Sequence, residues 1–356
     1  MNNPLKRRDF MTLLGTAALA WPLAASAQQA ERVRRVGMMM NFPASDPEAP
    51  IRVAAFLQRL QELGWTDRHN VRMDYRLADN TNLQYIAAEL VALAPDVVVV
   101  NGTSVLKAVQ QTTKTIPIVF VNVIDPVGQG LVQSLDHPGS NVTGISNIES
   151  HTGAKWLELL KQVAPNVTQV AVVRSTGLGG EGGIDKAIEA AAPSLGVKLI
   201  PFNARVEAQI EAAIVSLGQR PSLIGPQPFQ RANTGLLVLP GPVTRGFRER
   251  IIELAARGGL PAIYPYRYYV TSGGLMSWGV DTADEFRHAA VYADRILRGE
   301  KPADIPVEQA NKFELIINKK AAKALGLEVP PMLCREWQPL NRRYENAILA
   351  HVEALD

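Results

Sequence analysis

The sequence predicts an α/β protein made of two successive open parallel sheets. Three observations predict it. Short apolar runs alternate with helically spaced segments from residue 33 to 123. The same alternation restarts at 155 and continues to 266. Between the two runs, "GISNIESHTG" (144–153) is rich in Gly, Ser and Asn and belongs to neither period. Alternating strands and helices are the mark of parallel strands covered by helices on both faces.

In the first run, "RVGMMM" reads as a strand and "PIRVAAFLQRLQELGW" as a helix stopped near Gly64. "VRMDYR" is a short strand, and "LQYIAAELVALAP" is a helix ended by Pro95. "DVVVV" has no polar break, so it is a strand buried on both faces. "SVLKAVQQT" is its helix and "IPIVFVNV" the next strand. The second run reads "AKWLELLKQVAP" helix, "TQVAVVRS" strand, "DKAIEAAAPSLG" helix, "VKLIPFN" strand and "VEAQIEAAIVSLG" helix. "GLLVLPG" strand, "GFRERIIELAARGG" helix and "PAIYPY" strand complete it. The proline-rich stretch 218–234 reads as a surface loop insertion. Beyond it come "GGLMSWGV", an amphipathic helix "TADEFRHAAVYADRILRG", and a linker, strand and short helix up to about 327. Extra segments after two sheets imply that the chain crosses between lobes more than once.

Length and composition bound the function. The chain has 356 residues, 47% hydrophobic and 20% charged, with net charge +3. Residues 1–27 read as a cleavable export signal: "KRRDF", then "MTLLGTAALAWPLAA", then Ala25-Ser26-Ala27. The Arg7–Arg8 pair suits twin-arginine export, with a Sec signal as the alternative. Losing Lys6, Arg7, Arg8 and Asp9 with that segment lowers the charge from +3 to +1. So small an excess gives no electrostatic case for nucleic acid or an anionic membrane as partner. Elsewhere no apolar run is long enough to span a bilayer. The single cysteine, Cys334, excludes an intrachain disulfide.

In open parallel sheets, ligands bind beyond the carboxyl ends of strands, where loops enter helices. "NGTS" occupies that place after "DVVVV": Asn101, Gly102, Thr103 and Ser104. Thr103 and Ser104 can cap the helix or donate to a ligand, and the helix N-terminus suits an anionic group such as a carboxylate. After the next strand come Asn122 and Asp125. Asp125 can receive a ligand ammonium or start a turn. Asn41, Phe42 and Ser45 follow the first strand, where Ser45 or Asp46 can also cap the next helix. The densest aromatic stretch, 264–278, holds Tyr264, Tyr266, Tyr268, Tyr269 and Trp278. Such rings can face an apolar or ring-bearing ligand or pack the join between lobes.

Catalytic constellations are missing from the sequence. There is no GxSxG elbow or GxxxxGK[ST] loop, and the five histidines have no zinc-like spacing. "GLGGEGG" (177–183) lacks dinucleotide-site spacing and reads as a cleft loop. No metal, cofactor or catalytic residue is expected. An enzyme on the same scaffold, or the ligand-sensing part of a regulator or receptor, remains the alternative class.

With these residues in place, the sequence resembles the periplasmic substrate-binding proteins of ABC transporters, the tryptophan/tyrosine-type group. The resemblance covers about 33–330. It rests on "LQRLQELGW", "AAELVALAPDVVVVNGT", "TIPIVFVNVIDPVGQGLVQSLDHPGSNVTGIS", "LPAIYPYRYYVTSGGLMSWGVD" and "AAVYADRILRGEKPADIPVEQANKFELIINKKAAKALGL". It implies a type I periplasmic-binding-protein fold, with two Rossmann-like lobes joined by a multi-segment hinge around a cleft. Lobe 1 is expected at 33–147 plus about 275–303, and lobe 2 at 148–274 plus about 304–330. It further implies an exported, periplasmic monomer that delivers a solute, an aromatic or other apolar amino acid or related carboxylate, to an ABC permease. The implied contacts come from Asn41, Thr103, Ser104 and Asp125, with Tyr264 and Tyr266 at the cleft. Two features depart from the family. Its "LPDP" turn reads "LPGP" here, with Gly241 in place of an acidic residue, and the tail after Pro331 is atypical.

Overall fold

The computed structural model describes residues 33–43, 46–78, 81–147, 151–175, 182–219 and 233–333. The expected export segment, Ser45, most of the 177–183 and 218–234 stretches and the tail from Cys334 lie outside them.

The first sheet contains β1 (Arg34–Asn41), β2 (Val71–Ala78), β3 (Val97–Asn101), β4 (Ile118–Val123), β5 (Val142–Ser146) and the two-residue β11 (Glu308–Gln309). Its order is β11-β5-β4-β3-β1-β2, all parallel. The valine run of β3 alternates between two cores, as the period of a strand demands. Val97 and Val99 join Phe56 and Leu60 of α1 (Glu48–Glu62) and Phe286, Ala289 and Ala293 of the late helix Thr282–Leu297. Val98 and Val100 join Leu90 of α2 (Leu83–Ala92) and Leu106 and Val109 of α3 (Thr103–Thr112). Both faces of the strand are therefore dry, which an unbroken apolar run requires.

The second sheet repeats the order. It holds β6 (Gln169–Ser175), β7 (Lys198–Ala204), β8 (Thr234–Val238), β9 (Ala262–Tyr264), β10 (Met276–Val280) and β12 (Phe313–Ile317), arranged β12-β10-β9-β8-β6-β7. Only β12 runs antiparallel, paired with β10. Around this sheet lie α4 (Thr152–Val163), α5 (Gly182–Ala191), α6 (Glu207–Gln219), α7 (Pro242–Gly246), α8 (Arg248–Gly258) and α9 (Arg267–Thr271). The late helix Thr282–Leu297 is α10, and α11 (Lys319–Ala324) closes the described fold. Both sheets thus follow the doubly wound order in which the first strand lies between the second and third, and the α/β reading with two sheets holds.

The chain crosses between sheets three times, near Asn147, at Asp281 and at Ala310–Lys312. Sequence reading expects the second and third crossings at about 275 and 304. They come later because Met276–Val280 is hydrogen-bonded between β9 and β12 in the second sheet. Glu308–Gln309 still pairs with β5 in the first, and the Thr143 hydroxyl donates to the Ile305 carbonyl at 2.7 Å. The crossing strands hold one another: Ala310 N donates to Ser146 O at 2.8 Å, and Lys312 Nζ lies 3.3 Å from Asp281. Asp281 also caps α10 by accepting from Ala283 N and Asp284 N. A short strand, β5, reaches into the start of the Gly/Ser-rich stretch at the boundary between the two runs.

Candidate functional site

In a doubly wound sheet, the helices after the first and third strands leave on opposite faces. They open a crevice at the carboxyl ends of those strands. In the first sheet these ends are Asn41 of β1 and Asn101 of β3; in the second they are Ser175 of β6 and Val238 of β8. The two crevices face each other across one cavity of about 680 Å³, counting its mouth.

The lobe 1 wall comprises Asn41, Arg52, Asn101, Gly102, Thr103, Ser104, Asn122 and their apolar neighbours. Gly102 is the N-cap of α3 and has φ 92°, a left-handed conformation that favours glycine. No side chain caps α3, and its first residues, Thr103 and Ser104, line the cavity, so the first N–H groups of the helix have no side-chain partner there. Arg52, on the buried stripe of α1, donates to Asn101 Oδ1 at 3.3 Å and lies 3.7 Å from Glu48. Its guanidinium covers the Phe42 ring at 4.7 Å.

The lobe 2 wall comprises Pro240, Gly241, Pro242, Arg245, Tyr266 and Tyr268. Pro242 begins α7, which brings Arg245 to the cavity and over the Phe42 ring, 4.1 Å from its centroid. Burial pushes the Arg245 guanidinium below its ordinary pKa, an effect that nearby Tyr268 partly offsets. Tyr266 and Tyr268 stack at 5.4 Å, and burial raises both phenols, that of Tyr266 to about 12.

The lobes touch around the cavity, so the cleft is closed. Arg248 of α8 meets Asp46 at 2.9 Å, with the Asp46 side chain wholly buried. The Tyr266 hydroxyl donates to Asn122 Oδ1 at 2.9 Å, and Arg245 donates to the Asn41 carbonyl. Behind these contacts lies Glu285 of α10, fully buried, with neither carboxyl oxygen well hydrogen-bonded. Burial pushes its carboxyl up to about 8, against the smaller opposing effect of Arg52.

Seven of the nine residues singled out from the sequence line this cavity: Asn41, Asn101, Gly102, Thr103, Ser104, Asn122 and Tyr266. Two do not. Asp125 is exposed at φ 44°, and its Oδ1 accepts from Gly128 N at 2.9 Å; of its two possible roles, the turn is the one the structure displays. Tyr264 is buried inside lobe 2, stacked on Tyr269 at 4.9 Å, because its strand position points it into the sheet core. Sequence reading missed Arg52 and Arg245, and named Tyr268 only among the rings that can face a ligand or pack the join. Arg52 carried a signal, since it falls on the Ala49–Val53–Phe56–Leu60 stripe where an apolar residue belongs. Arg245 carried a weaker one, its position just beyond the "LPGP" strand end, the lobe 2 counterpart of "NGTS".

Comparison with known proteins fits this geometry. The family profile described as "ABC transporter substrate binding protein" matches residues 42–337. The chain belongs to that family. A tyrosine-binding protein of Clostridioides difficile is 29% identical over 277 residues, 77% of this chain and 76% of the relative. A conserved domain protein from Vibrio cholerae superposes with a TM-score of 0.76 at 28% identity, over 86% of this chain and 98% of the other. A domain in complex with L-Trp from Streptococcus pneumonia gives 0.76 at 23% identity, with the same coverage. A ligand-free, open substrate-binding protein from Clostridium difficile gives 0.61 at 26%, over 84% and 96%. The lower score with the open form agrees with the closed cleft of this ABC substrate-binding protein. Among the described residues no helix is long and apolar enough to cross a membrane, and no cluster of His, Cys, Asp or Glu has metal-site geometry.

Proposed function

We propose that this protein is an exported, periplasmic receptor. It captures a small solute, an aromatic or other apolar amino acid or a related carboxylate, by hinge closure and delivers it to an ABC permease. The observation that carries this reading is the cavity between two facing strand-end crevices, lined by residues of both lobes. A ligand touching both walls favours the closed arrangement by the difference in its affinity for the two states. The three crossing segments supply the hinge. The tyrosine-binding and tryptophan-bound relatives support a ligand of this size and polarity. Capture breaks no bond, so the function needs no catalytic group, and the permease would read the closed form.

A thermal-shift screen of amino acids and aromatic acids tests the reading, because a ligand bound only to the folded state raises the melting temperature. Replacing Thr103 and Ser104 together with alanine should weaken binding of the hit by about tenfold, roughly 1.4 kcal/mol. The melting temperature of the free protein should stay the same, because neither side chain caps α3. Unchanged affinity removes this turn from the site, and a screen with no hit of any class removes the reading itself.

A further inference from the structure

The charged side chains described on the cavity wall have one sign. Among the described residues, none of the fifteen that line it is acidic, while Arg52 and Arg245 both reach it. The acidic groups nearby are engaged or turned away. Asp46 pairs with Arg248 at 2.9 Å, Glu48 lies 3.7 Å from Arg52, and Asp125 accepts from Gly128 N. Residue 241 offers no acid either, and a Cβ there would fall 2.4 Å from Ser175 Oγ. Three buried polar atoms of lining residues lack a hydrogen-bond partner: Arg52 Nε, Asn101 Nδ2 and Arg245 Nε. All three are N–H donors. The uncapped N-terminus of α3 adds further donors without a side-chain partner on the same wall. Unpartnered acceptors do exist in Glu285 and Asn147, but neither residue lines the cavity.

We propose that the preferred ligand is an aromatic or apolar carboxylate without an α-ammonium group, an arylpropanoate in chemical class. The proposal rests on the solute-binding reading above and narrows it. A carboxylate supplies the acceptors that these donors need and the negative charge that two guanidinium groups attract. An α-ammonium would give up its hydration with no acid among the described lining residues to receive it, and would share the cavity with two like charges. Tyr266 and Tyr268 offer stacked ring surface for the remainder of the ligand.

Calorimetric titration of the protein with matched compounds is the test. L-Phenylalanine is compared with phenylpropanoate, and L-tryptophan with indolepropanoate; phenylpropanamide is the uncharged control. The acid without the amino group should bind at least about tenfold tighter than its amino acid, and tenfold tighter than the amide. An amino acid that binds as well as its counterpart overturns the proposal and leaves the solute-binding reading standing. Failure of acids, amino acids and neutral sugars alike overturns both. Arg245→Gln removes the closing contact to Asn41 for every ligand, and beyond that shared loss it should cut acid affinity about tenfold more than amide affinity. An equal loss for acid and amide would show that the guanidinium charge is not what recognises the ligand.

Discussion

The two walls of the cavity stand on the same strand order and yet offer different chemistry. Apart from Arg52, the lobe 1 wall consists of strand ends and a helix start: Asn41, Asn101, Asn122 and the uncapped first turn after Gly102. These dipoles are fixed by the sheet that carries them. The lobe 2 wall consists of long side chains, Arg245, Tyr266 and Tyr268, carried by short helices and loops after the strands. The difference teaches that doubly wound topology places a crevice in each lobe, while the local sequence decides what fills it. It also suggests a division of labour in which lobe 1 orients the ligand and lobe 2 closes over it.

The largest expected effect concerns a group behind lobe 1. Glu285 has a folded pKa of about 8 against an ordinary 4.5. Below pH 4.5 the carboxyl is protonated whether the chain is folded or not. As pH rises from there to about 8 the unfolded chain ionises and the folded one resists, so stability is lost across that window and stays level above it. Glu285→Gln removes the loss. The two proteins should melt alike near pH 4.5 and diverge toward pH 8 with the variant higher, by at most about 5 kcal/mol at 1.36 kcal/mol per unit. Parallel melting curves from acid to alkali would contradict this.

The next effect strikes the contact between the walls. Arg248→Ala leaves Asp46 buried and unpaired in the closed form only, at a cost of about 3 kcal/mol. Ligand affinity should fall on the order of a hundredfold, small-angle scattering should show a more open molecule, and Asp46→Ala in the same chain should restore much of both. Tyr266→Phe removes one hydrogen bond across the cleft, worth about 1 kcal/mol. Affinity should drop roughly fivefold while the free protein melts as before. If Tyr266→Phe costs as much as Arg248→Ala, the Tyr266 hydroxyl holds ligand rather than only closing the cleft. The smallest effect is that of Asp125→Asn: with its carboxylate turned to Gly128, affinity should change by less than about twofold. A larger loss would restore Asp125 as the group receiving an ammonium and would sharpen the contrast between the walls in the opposite direction.

Legibility in the sequence divides along the same contrast. Strand ends are readable because the unbroken run "DVVVV" forces a strand buried on both faces, and the residues after it must lie at the carboxyl edge. Asn101 to Ser104 were therefore placed from sequence, and Asn41 and Asn122 by the same logic. Arg52 was hidden because a helix residue declares its face and not what stands opposite it. Tyr264 and Tyr266 are two residues apart, and only the end of β9 after Tyr264 sends one into the core and the other to the cleft.

By itself, the sequence determined two parallel sheets, their strands and the lobe 1 crevice, because burial and periodicity act along the chain at short range. The tertiary structure alone decided that β10 stays with the second sheet and that Arg52 and Arg245 meet one phenylalanine ring from opposite lobes. It also decided that Asp46 finds its partner in Arg248, 202 residues away. Those contacts join segments far apart in the chain, and no local period encodes which surfaces meet when two lobes close.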